Sequence, residues 1–367
     1  MIDVKEMLNR MVKEDGSDIF LAVGAPPVMS VRDKLVTLSS DRLKPADTDQ
    51  IANELMADRF QETFKSDLEV DLAYSVHGVG RFRLNVFRQR GTVGLVIRRI
   101  KLDVMSIDDL KLPEILKTVA LEERGLVLVT GATGSGKSTT LASMIDYRNR
   151  NKPGHIVTIE DPMEFIHNHK KSIVTQREVG TDTQTYARAL KSALRQAPDV
   201  MLIGEIRDRE TMQAALNFAE TGHLVFSTLH ANNASQTLER VLNIFPNDMH
   251  QMIHMQLSLN LKAVICQRLV PKINNEGRAA ALEIMLSTPR VADLIHRGET
   301  HSLRPVIAAG TREGMQTFDQ NLFRLYTDGA IDYDTAIRSA DSANDLKLRI
   351  RTEMPDGILN PAAATEN

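Results

Sequence analysis

The sequence predicts an α/β protein with two main domains, because its patterning changes near residue 105. Its 367 residues can form about two or three domains that each bury a core. Before residue 105, short β-prone runs flank a helical stretch, whereas after residue 112 apolar strands alternate with amphipathic helices. That alternation is typical of βαβ units and a mainly parallel sheet. We therefore expect an N-terminal α+β domain at 1–105 and a parallel-sheet core at 106–285.

The expected N-terminal domain combines short strands with one helix over 48–64, where apolar residues have helical spacing. The β-prone runs are Asp18–Val23, Val28–Val31, Leu35–Leu38 and Leu95–Ile97. Residues 80–86 alternate strictly, with Phe82, Leu84 and Val86 on one face and Arg81, Arg83 and Asn85 on the other. This alternation predicts a strand with one buried face and one cationic face.

The expected core contains four apolar strand candidates separated by helical segments. They are Leu126–Thr130, Ile156–Ile159, Val200–Ile203 and Leu224–Thr228. One amphipathic helix between them is marked by Leu190, Ala193, Leu194 and Ala197. Residues 286–350 read as a helical C-terminal segment, and 351–367 as a disordered tail.

Composition limits the classes of function that the chain can have. The net charge of −3 shows no basic surplus, which argues against a nucleic-acid partner. Cys266 is the single cysteine, so it has no internal disulfide partner, and we expect a small buried apolar residue there. We find no signal peptide and no apolar run long enough to cross a bilayer. We therefore expect a cytoplasmic protein that meets membranes only through partners.

Residues 131–138 match the phosphate-binding pattern G-x-x-x-x-G-K-[ST] at every fixed position. A β-prone run precedes the segment and a helix-competent stretch follows it, which disfavours the alternative of a glycine-rich turn that matches by chance. Lys137 should reach the β- and γ-phosphates of ATP, and Ser138 should ligate Mg²⁺. The predicted nucleotide-binding residues are Gly131, Ala132, Thr133, Gly134, Ser135, Gly136, Lys137, Ser138 and Thr139.

Acidic residues follow two of the predicted strands. Glu205 comes just after Val200–Ile203, where it could polarise the attacking water or support the Mg²⁺ shell; the alternative is a charge at a helix N-terminus. Glu160, Asp161 and Glu164 follow Ile156–Ile159, and we expect at least one of them on the nucleotide side. Ordinary Asp-Pro turn chemistry is the alternative for this second group.

Two histidines bracket the strand at 224–228. His223 and His230 lack the further ligands of a zinc site, so a role in sensing phosphate or ordering water fits better than a metal site. Packing in the core remains the alternative. Taken alone, Arg81, Arg83 and Arg98 read as solvated strand faces, but in a ring of subunits they could reach a neighbour's phosphates.

These segments, in this order, resemble the Walker A, Asp box, Walker B and His box of the secretion ATPase superfamily. The Asp box is Thr158–Phe165, the atypical Walker B is Gly204–Asp208, and the His box runs from Glu220 through His230. Ser17-Asp18 with Gly24–Pro27, and Gln176–Val179 after the Asp box, are similar to the twitching motors of type IV pili, the PilT/PilU kind. The resemblance extends from about residue 3 to 340.

The resemblance implies a PAS-like N-terminal domain, a RecA-like P-loop NTPase domain and assembly into a homo-hexamer. It implies catalytic roles for Glu205, Glu164, Arg81, Arg83 and Arg98. It also implies a place at the inner-membrane base of the pilus, with a PilT-like retraction ATPase and a platform protein as partners. The tetracysteine element of pilus-assembly and type II secretion ATPases is ruled out by the single cysteine.

The departures from this family pattern favour its PilU-like accessory branch. Residues 290–296 read Arg-Val-Ala-Asp-Leu-Ile-His, where retraction motors carry Ala-Ile-Arg-Asn-Leu-Ile-Arg. Phe20 also replaces the usual histidine, and the C-terminal tail is longer. The expected function is therefore an ATP-hydrolysing motor that powers or assists pilus retraction. The alternatives are an ATP-binding coupling partner with little turnover, or a RecA-like nucleic-acid motor.

Overall fold

The computed structural model describes residues 3–31, 34–100, 104–273 and 277–354, which form two compact units. The first unit contains the described residues up to Val104, together with Glu164–Ile166 and Gly180–Asp182. The second contains Met105–Met163, His167–Val179 and the described residues from Thr183 onward. The expected tail at 351–367 overlaps a helix that ends at Glu353, and residues 355–367 lie outside the described residues.

The first unit is a six-stranded antiparallel sheet with three helices, in the strand order β3-β2-β1-β6-β5-β4. Its elements are α1 (Val4–Lys13), β1 (Asp18–Leu21), β2 (Val28–Val31), β3 (Lys34–Thr37), α2 (Pro45–Leu55), α3 (Asp58–Asp67), β4 (Glu69–Val76), β5 (Gly80–Gln89) and β6 (Thr92–Ile100). Along β5, Phe82, Leu84 and Val86 are fully buried, as the alternation predicts. The core of this unit therefore lies on the face opposite the arginines of β5.

The single helix predicted over 48–64 is wrong, because the structure breaks it into α2 and α3. Met56 and Ala57 are extended, with ψ angles of 122° and 156°. This break allows the buried side chains of Met56 and Phe64 to enter the same core. Helical spacing of apolar residues cannot reveal such a break, since both short helices keep the same period.

The second unit is built on a seven-stranded sheet in the order β13-β12-β7-β11-β10-β8-β9. Its strands are β7 (Gly125–Thr130), β8 (Gly154–Glu160), β9 (Ser172–Glu178), β10 (Val200–Ile203), β11 (Leu224–Leu229), β12 (Leu261–Pro271) and β13 (Arg278–Leu286). All pair in parallel except β13, which is antiparallel to β12. Apolar clusters cover both faces, as expected for a mainly parallel sheet.

Helices cover this sheet and form the C-terminal part of the chain. They are α4 (Ile115–Ala120), α5 (Lys137–Asn151), α6 (Tyr186–Ala193), α7 (Arg209–Glu220), α8 (Ala234–Asn243), α9 (His250–Asn260), α10 (Pro289–Arg297), α11 (Leu303–Ala309), α12 (Phe318–Thr327), α13 (Tyr333–Ser339) and α14 (Ala343–Glu353). None of the helices in the described ranges has the length and apolar character needed to span a bilayer.

Candidate nucleotide site at the carboxyl edge of the parallel sheet

The order of the strands brings four of the predicted segments to one edge of the sheet. Strands β7, β11, β10 and β8 are successive parallel neighbours, so their carboxyl ends lie side by side. The glycine-rich loop follows β7, His230 follows β11, Glu205 follows β10, and Glu160 ends β8. Ligands of open α/β sheets bind at this edge, which makes it the candidate site.

The backbone of the glycine-rich loop has no room for side chains at its start. Gly131 has φ 149°, and a Cβ atom there would lie 2.4 Å from the backbone oxygen of Gln267 and 2.5 Å from the Ser135 hydroxyl. That hydroxyl is itself buried and has no hydrogen-bond partner within the part of the chain that the structure describes. A loop that is curled this closely, and that leads into α5 at Lys137, is suited to hold a polyphosphate with its backbone N–H groups.

Lys137 and Ser138 begin α5 directly after the loop. The Lys137 Nζ donates to the backbone oxygens of Gly131 and Ala132, each at 3.0 Å, so the ammonium is held beside the loop backbone. Ser138, the predicted Mg²⁺ ligand, is half-buried in the first turn. Among the described residues, no three His, Cys, Asp or Glu side chains cluster in a way that could hold a metal ion.

Glu205 is the centre of a charged cluster that follows β10. Its Oε1 lies 2.9 Å from His230 Nε2, and its Oε2 accepts a hydrogen bond of 2.7 Å from Arg207 Nε. The Glu205 side chain is only 21% exposed, so these two partners orient a carboxylate that is mostly shielded from water. This pairing raises the pKa of Arg207, because the adjacent carboxylate favours the charged guanidinium.

The backbone around Glu205 is fixed by its two neighbouring strands. The N–H of Gly204 donates to Ile159 of β8, and the N–H of Ile206 donates to Thr228 of β11. The Thr228 hydroxyl donates back to the Gly204 oxygen at 2.7 Å. A Cβ atom at Gly204 would lie 3.0 Å from the Tyr186 hydroxyl, so the glycine permits this close approach. Glu205 is therefore presented from a rigid position.

The predicted acids after β8 have different positions. The Glu160 carboxylate accepts hydrogen bonds from the Thr158 hydroxyl at 2.7 Å and from Gln176 Nε2 at 3.4 Å, at the same edge as Glu205. Asp161 lies 3.9 Å from Arg207 and so extends the charged cluster. Glu164 belongs to the first compact unit, and its catalytic role stays a prediction.

His223 lies at the opposite edge of the sheet from His230. It precedes β11, and its Nδ1 is 3.0 Å from the Phe218 backbone oxygen and 3.1 Å from the Thr221 hydroxyl. Its ring packs edge-on against Phe218 with centroids 5.4 Å apart. The structure therefore brings His230, and not His223, to the glycine-rich loop within this unit, and a nucleotide-binding role for His223 stays a prediction.

The three predicted arginines lie on the sheet of the first unit. Arg83 and Arg98 are cross-strand neighbours on β5 and β6, and Arg81 lies two residues before Arg83. Arg83 contacts Asp71 at 3.3 Å, and Arg98 contacts Asp18 at 2.7 Å. Acidic partners on their own sheet thus hold two of these guanidinium groups on one face. Their proposed action on a neighbour's phosphates stays a prediction.

Sequence reasoning missed Gln267 and Arg207. Gln267 lies on β12, is 3% exposed and accepts a hydrogen bond of 2.7 Å from the Thr140 hydroxyl of α5. Its backbone oxygen also lies where a side chain at residue 131 would be. A glutamine inside the apolar run 261–270 was the available signal, since a buried amide needs a polar partner. Arg207, two residues after Glu205, was visible as a charge beside the predicted acid.

A family model described as "Type II/IV secretion system protein" matches residues 70–323. The chain belongs to this family. The match includes the glycine-rich loop, Glu205 and both histidines, so every residue at the carboxyl edge lies inside it.

Among curated relatives, the type IV pilus ATPase PilU of Pseudomonas aeruginosa is 51% identical over 350 residues, which cover 95% of this chain and 92% of that protein. The type IV pilus retraction ATPase PilT of the same organism is 43% identical, covering 92% and 98%. The crystal structure of the pilus retraction motor PilT with bound ADP superposes with a TM-score of 0.89 at 40% identity, covering 95% and 100%. The predicted resemblance to the PilT/PilU kind is thus confirmed, together with the α/β fold.

Proposed function

We propose that the chain is a Mg²⁺-dependent ATPase that assists type IV pilus retraction as an accessory of the PilU kind. The observation that carries this proposal is the Glu205–His230 pair, whose side chains are 2.9 Å apart. The two residues follow the carboxyl ends of the adjacent strands β10 and β11, at the same sheet edge as the glycine-rich loop. A carboxylate oriented beside a phosphate-binding loop is the arrangement that hydrolysis of a terminal phosphate requires. Nearly full-length similarity to proteins named as pilus ATPases supports the biological setting.

In this proposal the glycine-rich loop binds the phosphates through its backbone N–H groups, and Lys137 places a positive charge beside them. Bound Mg²⁺, ligated by Ser138, would neutralise charge that develops on the phosphate oxygens. Glu205 orients the attacking water and accepts its proton, while His230 and Arg207 keep the carboxylate in position through contacts of 2.9 and 2.7 Å. Glu160 contributes a second carboxylate to the same edge.

The remaining parts of the proposal concern the assembly. We expect a homo-hexamer in which Arg81, Arg83 and Arg98 of a PAS-like first domain, with Glu164, reach the nucleotide held by a RecA-like second domain. In such a ring, a guanidinium from a neighbour stabilises transition-state charge and raises the rate by roughly 10³–10⁵. The proposed partners are a PilT-like retraction ATPase and an inner-membrane platform protein, with the ring in the cytoplasm at the pilus base. Nucleic acid is not among them.

The test is the steady-state ATPase activity of the assembled protein beside Lys137→Ala and Lys152→Ala. Both lysines belong to the α5 region, but Lys152 follows the far end of the helix and pairs with Glu123. We expect Lys137→Ala to lose turnover by about 10²-fold or more, and Lys152→Ala to keep it. Wild-type turnover no higher than that of Lys137→Ala would refute catalysis and favour the ATP-binding coupling partner. A gel shift with single-stranded DNA would separately reveal a nucleic-acid motor.

A further inference from the structure

The loop between β11 and α8 carries His230 and is held from outside by two side chains of the β12–β13 hairpin. Within the loop, Asn233 caps α8 by accepting from the Gln236 N–H at 2.8 Å. This local cap fixes the shape of the loop but not its position on the sheet. Glu283 on β13 and Arg268 on β12 both contact this segment directly, and the Ser235 hydroxyl of α8 also donates to the Thr300 backbone oxygen at 2.8 Å.

Glu283 holds the first residue of α8. Its carboxylate accepts a hydrogen bond of 2.8 Å from the Ala234 N–H, and the side chain is 3% exposed. Burial raises the pKa of Glu283 to about 7, and the charge of Asp341 also raises it, whereas the hydrogen bond from Ala234 and the charges of Arg268 and Arg304 lower it. An acceptor this deeply buried has no water to replace its partner. The start of α8, four residues after His230, is therefore tied to β13.

Arg268 connects the same loop to the C-terminal helices. Its Nη2 donates to the Asn232 backbone oxygen at 3.4 Å and pairs with Asp341 at 2.7 Å. Its Nη1 donates to the Ser339 backbone oxygen at 3.1 Å, at the end of α13. The guanidinium also stacks on the Phe318 ring, 3.9 Å from its centroid. One planar group thus contacts the His230 loop on one side and α12–α13 on the other.

The C-terminal contacts of Arg268 are braced in turn by Asp319. We call Phe318, Asp319 and Asp341 the C-terminal clasp. Asp319 accepts hydrogen bonds from the N–H groups of Asp341 at 2.7 Å and Ser342 at 3.2 Å, and pairs with Arg304 of α11 at 2.8 Å. Helices α11, α12 and α14 therefore fix the residues that hold the guanidinium in place.

We propose that Glu283 and Arg268 are positioning residues for hydrolysis, which hold the His230 loop beside Glu205. The proposal rests on the proposed ATPase function. Among the described residues, no contact joins the Glu283 or Arg268 side chain to the glycine-rich loop. Variants at these two positions should therefore keep their affinity for nucleotide.

The first test compares Arg268→Ala with Arg349→Ala. Arg349 is a matched control, because it also stacks on a phenylalanine, Phe323 at 4.2 Å, and pairs with an acid, Glu353. We expect Arg268→Ala to lower kcat by roughly 10–100-fold, with the affinity for a fluorescent ATP analogue within about threefold of wild type, because a small misplacement remote from the chemistry costs rate. Arg349→Ala should keep kcat. Arg268→Lys, which lacks the guanidinium fork, substitutes if the alanine variant does not fold.

The second test asks whether Arg268 acts through His230. In a His230→Ala background, adding Arg268→Ala should cost no further rate, because the side chain that it positions is already absent. Equal fold losses in both backgrounds would overturn the proposal. Glu283→Ala should resemble Arg268→Ala, and Glu283→Gln, which keeps the acceptor oxygen, should restore turnover.

A readout that does not depend on turnover separates this proposal from the proposed function. Hydrogen exchange of the peptide spanning 229–236, followed by mass spectrometry, should accelerate in Arg268→Ala and Glu283→Ala but not in Arg349→Ala. Unchanged exchange would overturn the positioning role even if the wild type hydrolyses ATP. If exchange accelerates in these variants but the wild type hydrolyses no ATP, the loop contacts are established, the ATPase function is refuted, and neither residue has a kinetic role.

Discussion

The two edges of the parallel sheet carry the same kinds of residue and use them differently. Strand β10 is preceded by Asp199 and followed by Glu205, and β11 is preceded by His223 and followed by His230. At the carboxyl edge, Glu205 and His230 pair with each other at 2.9 Å beside the glycine-rich loop. At the amino edge, Asp199 accepts from the His155 N–H at 2.7 Å, and His223 bonds the Phe218 oxygen.

This difference indicates that the role of an acid or a histidine in this sheet depends more on the end of the strand at which it lies than on its residue type. At the amino edge both side chains satisfy backbone groups of their own unit, which stabilises turns. At the carboxyl edge they bind each other and face the side where ligands of parallel sheets collect. Substitutions at the two edges should therefore change different quantities: stability at the amino edge and catalysis at the carboxyl edge.

The histidines give the largest contrast of this kind. We expect His230→Ala to lower kcat by roughly 10–100-fold, since Glu205 loses the partner that orients it. His223→Ala should instead lower the free energy of unfolding by about 1–2 kcal/mol, through its lost hydrogen bond and ring contact, with kcat unchanged. Steady-state kinetics and denaturant unfolding of both variants check this. A loss of nucleotide affinity in His223→Ala would instead support the nucleotide role predicted from the sequence.

Glycines at the two edges give a smaller contrast. Gly131→Ala would place a Cβ 2.4 Å from the Gln267 oxygen, so the loop must open and ATP affinity should fall by about tenfold. Gly222 at the amino edge has φ 101°, but a Cβ atom there would meet open space. Gly222→Ala should therefore lower the free energy of unfolding by about 1–2 kcal/mol and leave the affinity for ATP unchanged. Titration with a fluorescent ATP analogue distinguishes them. Equal affinities in the two variants would count against a nucleotide at the loop.

The contribution of Glu283 to stability should depend on pH. Its pKa is raised from 4.5 to about 7 in the folded protein, so folding favours the protonated acid. Its contribution to stability is therefore complete below pH 4.5 and is lost as the pH rises to about 7. The side chain of Glu283→Gln does not ionise, so this variant should not lose that stability. Its free energy of unfolding should therefore rise relative to the wild type as the pH goes from 5 to 8, by about 3 kcal/mol at most.

Denaturant unfolding at these two pH values measures the gain, and Glu313→Gln, on the exposed surface, is the control. A difference between Glu283→Gln and wild type that does not change with pH would show that Glu283 does not titrate in this range. That result would not change the conclusion that Glu283 holds the start of α8 by accepting a hydrogen bond from Ala234.

The sequence allowed the carboxyl-edge residues to be predicted one strand at a time, because each follows an apolar run that reads clearly as a strand. It did not allow their pairing to be predicted. The Glu205–His230 contact depends on β10 and β11 being neighbours, and strand order in a parallel sheet is set by contacts distant in sequence. The strand β9 and the β12–β13 hairpin were also not predicted, and with them the roles of Gln267, Arg268 and Glu283 were missed.

The alternation of apolar and polar residues was most informative for strands with one buried face and one solvent-exposed face. The alternation on β5 correctly separated Phe82, Leu84 and Val86 from the arginines, since that strand has one buried face. Strand β12 is buried on both faces, so its apolar run carries no such alternation and cannot be distinguished from a helix by period alone. The break between α2 and α3 was missed for a related reason, because neither glycine nor proline marks Met56–Ala57.

The most direct test of the account compares the acids at the two ends of β10. Glu205→Gln and Asp199→Asn each remove one charge and keep the shape of the side chain. We expect Glu205→Gln to bind ATP within about threefold of wild type and to lose turnover by roughly 10²–10⁴, the usual contribution of a general base. Asp199→Asn should hydrolyse ATP like the wild type. Turnover that survives in Glu205→Gln, or that falls equally in both variants, would contradict a catalytic site at the carboxyl edge.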